Sequence, residues 1–122
     1  MLPDIYNFPS VVEYISLQQS LITEKDPGAI KKICCRMIAL IPDVKKEGDE
    51  YNAQMLKEKP EAIVYDFATA APFKRLAILY EKEGNIHQAI TVCHHALSFG
   101  FSDDGTKGGI QGRLDKLMKK VI

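Results

Sequence analysis

The sequence predicts an all-α fold, and three observations support that prediction. Residues 73–83 and 86–99 each carry apolar side chains at the helical spacing of three and four residues, with Gly84-Asn85 between them. The run from Ile30 to Ile41 has the same spacing. Short apolar runs such as 62–71 are bounded by prolines, so no strand pattern competes. We therefore expect helices that pack through their apolar stripes.

The first helix is expected at about 11–23. Ser10 and Glu13 have the spacing of a capping box, in which both side chains accept hydrogen bonds from N–H groups of the first turn. The helix behind this cap has an apolar side, formed by Val11, Tyr14, Ile15, Leu21 and Ile22.

The middle of the chain is expected to form three helices. Pro27 suits the first turn of a helix at 27–41, and Pro42 is expected to end it. The charged stretch at 44–58 is expected to be partly helical. After Pro60 a short helix at 61–68 would bury Ile63, Val64 and Phe67.

The last three helices are expected at 71–83, 86–99 and 107–121. Gly100 stands where a left-handed C-terminal cap would lie, and the glycine-rich loop that follows leads to the last helix. A terminal helix must cover an open apolar face, and here the basic side chains are expected on its outer surface: Arg113, Lys116, Lys119 and Lys120.

The helix pair at about 70–101 resembles a tetratricopeptide repeat. The residues that match that family's pattern of large and small side chains are Leu76-Ala77, Tyr80, Gly84, Ala89 and Ala96. Cys93 stands where a larger aromatic residue is usual, and Phe101 where a proline is common. The resemblance implies antiparallel helix pairs in an α-α superhelix, here with a C-terminal capping helix.

A degenerate second copy precedes this repeat. Ala29-Ile30 and Pro42 are similar to the second helix of a repeat, but Arg36 occupies a position that normally holds a small residue. Because the two copies are not separated by a multiple of the usual period, a regular array is not expected.

Composition limits the function classes. The chain of 122 residues is the length of a single domain, and its 16 basic and 16 acidic residues leave no net charge to attract nucleic acid. No apolar run is long enough to cross a bilayer, and residues 1–9 do not have the pattern of a signal peptide. We expect a cytoplasmic protein that binds neither nucleic acid nor membrane.

The three cysteines and three histidines are the residues best suited to bind a transition metal. Cys34 and Cys93 lie on apolar stripes and are expected to be buried, whereas Cys35 lies off its stripe. His87 and His94 are seven residues apart, which is too far for one metal ion, so the three histidines are expected to be solvated. No metal site and no cofactor are expected.

Catalysis and phosphate binding find little support in the sequence. The loop 103–109 contains three glycines but does not have the order of a phosphate-binding loop, and no serine lies in a nucleophile motif. We expect no enzymatic activity.

The resemblance implies a partner surface on the first helix of the pair. In tetratricopeptide folds that helix lines a concave groove, which here would contain Ala71, Lys74, Ile78 and Glu81. Ile78 is apolar but lies off the core stripe, so it would contact either a peptide or the expected helix at 61–68. The family's carboxylate clamp is not expected, because Ile78 replaces its asparagine.

These patterns predict a non-catalytic protein-interaction module or adaptor that binds a peptide or a helix. Because function is inferred from fold analogy, two alternatives stay open. One is a structural protein, either a homo-oligomer in which Ile78 and the 43–59 segment meet a second copy, or a piece of a larger helical assembly. The other is a small metal-binding or hydrolytic protein.

Overall fold

The computed structural model describes residues 1–121, which form five α-helices and no strand. The helices are α1 (Pro9–Thr23), α2 (Pro27–Glu58), α3 (Ala71–Lys82), α4 (Ile86–Ser98) and α5 (Gly109–Lys120), and a short 3-10 helix at Ile5–Asn7 precedes them. Each helix packs against the next in the chain, and one hydrophobic core extends from Phe8 to Leu117. The prediction of an all-α fold is confirmed. Within residues 1–121 no helix combines the length and the apolar character needed to cross a membrane.

The α3–α4 pair forms as its stripes predict. Phe73 and Ala77 on α3 and Ala89, Cys93 and Ala96 on α4 are each no more than 1% exposed. Three alanines at this contact allow the two backbones to approach closely. Gly84 in the connection and Gly100 after α4 have φ of 77° and 86°, so the predicted left-handed position at Gly100 is confirmed.

The middle of the chain differs from the prediction in two places. The helices expected at 27–41 and 44–58 are one continuous helix, α2, so the prediction that Pro42 ends a helix is wrong. The buried residues explain why, because they continue in register through Pro42: Ile30, Cys34, Met37, Ile41, Val44 and Gly48. Pro42 itself lies on the exposed side of α2. Burial on the other side outweighs the hydrogen bond that proline cannot donate.

The helix expected at 61–68 does not form. Residues 59–70 are an irregular connection in which Ile63 and Val64 are 76% and 56% exposed, so the prediction that these two side chains are buried is wrong. The carboxamide of Asn52 on α2 holds this segment through two hydrogen bonds to the backbone of Tyr65, of 2.9 and 3.2 Å. Phe67 packs edge-on against Tyr51, with the ring centroids 5.7 Å apart. These contacts with α2 take the place of helical hydrogen bonds.

The predicted capping box at the start of α1 is also wrong. The helix begins at Pro9, and its N–H groups are capped from another helix: Oε1 of Glu47 on α2 accepts hydrogen bonds from the N–H groups of Ser10 (2.9 Å) and Val11 (3.4 Å). Glu13 instead forms an ion pair with Arg36 on α2, at 2.6 Å. The negative charge at the first turn of α1 is therefore supplied by α2.

The last helix covers the end of the core as expected, with Ile110, Leu114 and Leu117 buried. One of its basic residues does not lie on the outer surface. Arg113 is 17% exposed and donates to the carboxylate of Asp104, which is fully buried, at 3.1 Å. The N–H group and the hydroxyl of Thr106 also donate to Asp104. Burial alone would raise the pKa of Asp104, but the hydrogen bonds from Thr106 and Arg113 outweigh it and lower the pKa.

Candidate interaction surface

The structure brings together three of the four residues predicted to bind a partner. Ala71, Lys74 and Ile78 line one wall of a cavity of about 220 Å³ between α3 and α1. Glu81 lies apart from it, near α5. The predicted surface is thus divided along α3, and its first part is the more complete site.

We call the α1–α3 cavity the cleft. Its residues are Gln18, Leu21 and Ile22 on α1 and Ala71, Lys74, Arg75 and Ile78 on α3. Ile22 is 70% exposed, which differs from the prediction that it belongs to the buried side of α1. Ile78 is half-buried, and the helix expected to cover it is absent. The cleft therefore presents isoleucine side chains from both of its walls to the outside.

Arg75 fixes the distance between the two walls. Its guanidinium donates to the main-chain carbonyls of Leu21 (2.8 Å) and Glu24 (2.6 Å) at the end of α1. These are among the carbonyls that a helix leaves without an internal partner, and a cation near them is favourable. Arg75 thus ties the last turn of α1 to the middle of α3. No pattern in the sequence indicated this role.

Gln18 is the polar group of the cleft that the fold leaves unmatched. Its Oε1 atom is buried and accepts no hydrogen bond from residues 1–121. Buried acceptors of this kind are uncommon, and each requires an explanation. Because this oxygen is buried, a ligand in the cleft does not reach it in the conformation that the structure shows.

Charge in the cleft is positive. Lys74 is half-exposed and forms no ion pair with a carboxylate in residues 1–121. Arg75 is bonded to neutral carbonyls. The surface therefore combines apolar area with two cations that have no acidic partner there.

Glu81 has a different role. Its carboxylate forms an ion pair with Lys120 at the end of α5, and both side chains are partly exposed. It also borders a smaller cavity of about 170 Å³ lined by Thr106, Lys107 and Arg113. This arrangement joins α3 to α5, so Glu81 helps to hold the last helix.

The thiols and imidazoles are not gathered into a metal site. No group of three or more histidine, cysteine, aspartate or glutamate side chains in residues 1–121 is arranged to hold a metal ion. Cys34 and Cys93 are buried as predicted, and Cys35 is exposed. Burial raises the pKa of Cys34 to about 12 and also raises that of Cys93. His95 stacks on Phe99, with the ring centroids 5.0 Å apart.

Comparisons with protein-family models, with curated proteins and with solved structures found no match to this chain.

Proposed function

We propose that the chain is a non-catalytic interaction module, or adaptor, that holds a peptide or helix of a partner protein in the cleft. The observation that carries the proposal is the cleft itself, in which Ile22 is exposed and Ile78 is half-buried beside Lys74. Apolar side chains that remain uncovered next to unmatched polar groups are typical of protein-binding surfaces.

The resemblance to tetratricopeptide repeats supports the same surface, since Lys74 and Ile78 are at the positions that would line the family's groove. We propose a tetratricopeptide-like arrangement on this basis, supported by the alanines buried between α3 and α4. A cytoplasmic location fits the three cysteines, none of which is in a disulfide.

The test uses two variants that should remain folded. Ile22→Glu changes a side chain in the cleft that is 70% exposed, and Met118→Glu makes a similar change on α5, where the side chain is 42% exposed. Proteins captured from a cell extract by the wild type are compared with those captured by each variant. Circular dichroism establishes that both variants are folded.

A partner that is retained by the wild type and by Met118→Glu, but lost by Ile22→Glu, is the expected result. Protection of α1 and α3 amides from hydrogen exchange by that purified partner would locate the contact. A partner that binds Ile22→Glu as well as the wild type, or that protects other helices, would contradict the proposal.

A further inference from the structure

The irregular connection between α2 and α3 presents a second apolar feature, which we call the hook. It consists of Ile63, Val64 and Tyr65, which are 76%, 56% and 55% exposed. Three consecutive exposed large apolar residues are unusual in a connecting segment, because loops are normally polar. No other described run of three residues exposes as much large apolar side chain.

The hook is held in place rather than loose. Asn52 binds the backbone of Tyr65 at both its N–H and its carbonyl. Phe67 lies against α2 so closely that a Cβ atom on Gly48 would be 3.0 Å from its ring. These contacts therefore fix a segment whose large apolar side chains are exposed to solvent. A fixed apolar projection loses little conformational entropy on binding.

An apolar depression lies on the side formed by α2 and α4, and we call it the groove. It is an open cavity of about 460 Å³ with mostly apolar walls. Its residues are Cys35, Ile38, Ala39, Pro42, Leu76, Val92, His95 and Phe99. Ala39 has a small side chain, so it leaves part of the α2 wall open.

Charges around the hook and the groove are complementary. Residues 60–70 carry Glu61 and Asp66 and no basic residue, although Lys59 directly precedes them. On the part of α2 that borders the groove, Lys31 and Arg36 are already paired with Glu83 and Glu13. The basic residues that remain there are Lys32, Lys45 and Lys46, against the acidic residue Asp43. Opposite charges around an apolar contact favour association in one orientation.

The hook and the groove also share an edge. Phe99 lines the groove and, on its other side, a cavity of about 430 Å³ that Tyr65 lines as well. Lys45 fixes this edge, because its ammonium donates to the carbonyl of Phe99 at 3.0 Å and lies over the ring of Phe101. A projection and a depression that lie side by side on one surface are what a two-fold symmetric contact needs, since each copy then supplies both halves.

We propose that two copies of this chain form a symmetric dimer in which the hook of each copy occupies the groove of the other. Phe99 and Lys45 of the two copies lie near the two-fold axis. This contact uses residues outside the α1–α3 cleft, so it is independent of the proposed function, and the cleft stays open in the dimer.

Two variants test the proposed contact, one by changing the hook and the other by changing the groove. The hook variant carries Ile63→Glu and Val64→Glu, and the groove variant carries Ala39→Glu. All three side chains are exposed, so folding should be preserved. Ile22→Glu is the control, because it places a negative charge on an isoleucine of similar exposure that lies in the cleft.

Sedimentation velocity over a range of concentrations measures the dissociation constant of each protein. We expect a wild-type dimer, no change for Ile22→Glu, and an increase of at least about tenfold for the hook and groove variants, because each buries unpaired charge. A wild type that is monomeric at every concentration overturns the proposal. So does a dimer that persists in both variants.

Mixing the two variants tests the pairing itself. A heterodimer has one intact contact, formed by the hook of the groove variant and the groove of the hook variant, whereas each homodimer has none. The mixture should therefore contain more dimer than either variant alone. A mixture that dimerises no better than its separate components overturns the pairing of hook with groove.

Discussion

At the scale of single residues, Asp104 holds the loop before α5 against α5, at the C-terminal end of the fold. Its carboxylate has no exposed surface and is bonded to Thr106 and Arg113, which join the loop before α5 to α5 itself. The sequence placed this residue in an ordinary connecting loop. The two residues of the ion pair are nine positions apart in the chain, and no spacing rule for helices or turns predicts such a contact.

Substitution of Asp104 should therefore destabilise the fold. Asp104→Asn leaves Arg113 without its charged partner, and we expect a loss of about 3 kcal/mol in the free energy of unfolding. Urea denaturation would measure it. Asp103→Asn is the control, because Asp103 is exposed and only accepts a hydrogen bond from Gly105, so an equal loss in that variant would contradict the role of the buried pair.

The same group predicts a dependence on pH. The folded state lowers the pKa of Asp104 below its ordinary value of 3.8, so its contribution is complete above that value and is lost as the pH falls through the lower folded-state pKa. The stability difference between wild type and Asp104→Asn should thus be constant near neutral pH and shrink in acid. A difference that grows in acid would contradict this sign.

The thiols differ in reactivity for reasons of burial. Cys34 has a pKa of about 12 and no exposure, and Cys93 is equally buried, whereas Cys35 is exposed. Because the thiolate is the reactive form, a thiol reagent should label one cysteine of the native chain rapidly and all three only after denaturation. Mass spectrometry of the labelled peptides identifies the site. Rapid labelling of Cys34 or Cys93 would show that the core opens readily.

At the scale of elements, α2 packs against both α1 and α3. Glu47 on its second half caps α1, and this cap was not predicted because Ser10 and Glu13 offered a local alternative. Glu47→Ala should lower the free energy of unfolding by about 1 kcal/mol, the usual effect of losing a cap at a helix N-terminus. Thermal denaturation would measure the loss. Glu50→Ala, an exposed position on the same helix, should cost much less.

Pro42 provides a second prediction about α2. Proline inside a helix removes a hydrogen bond, so Pro42→Ala should stabilise the protein by about 2 kcal/mol after allowance for the greater freedom of the unfolded chain. Denaturant titration would detect it. Pro9→Ala, at the first turn of α1 where proline is tolerated, should bring no such gain. Equal effects of the two substitutions would contradict the explanation.

At the scale of the whole molecule, most helices were predictable, whereas the long connection between α2 and α3 was not. The stripes at 71–83, 86–99 and 107–121 correspond to α3, α4 and α5. These helices could be predicted because the spacing of apolar residues within one helix indicates which of its faces is buried. The stripe of α2 also continued through Pro42, but Gly48 on that stripe has no side chain to signal burial. The role of Gly48 becomes visible only when Phe67 is placed against it.

The candidate site was predictable in part for the same reason. Lys74 and Ile78 share a face of α3, which periodicity gives directly. The facing wall of the cleft could not be predicted, because Gln18 and Ile22 are brought to α3 by tertiary contacts of Arg75 that span more than fifty residues. The exposure of the hook could not be predicted, because its apolar composition favoured a buried helix at 61–68.

The core connects all five helices, and this predicts cooperative unfolding. Buried residues from Val11 in α1 to Leu117 in α5 belong to one cluster. Loss of helix, followed by far-ultraviolet circular dichroism, and loss of tyrosine packing, followed in the near ultraviolet, should therefore have the same midpoint in denaturant. Two separate midpoints would show that a part of the chain unfolds independently.

The capping of α1 by Glu47 bears on how the chain is made. On a ribosome, all of α1 emerges well before residue 47 does, so its first turn has no carboxylate to accept its N–H groups during that interval. Isolated helices of fifteen residues are marginal in water. The N-terminal segment should accordingly remain unstructured during synthesis until the middle of α2 has been released, and a fragment cut at Pro42 should not fold.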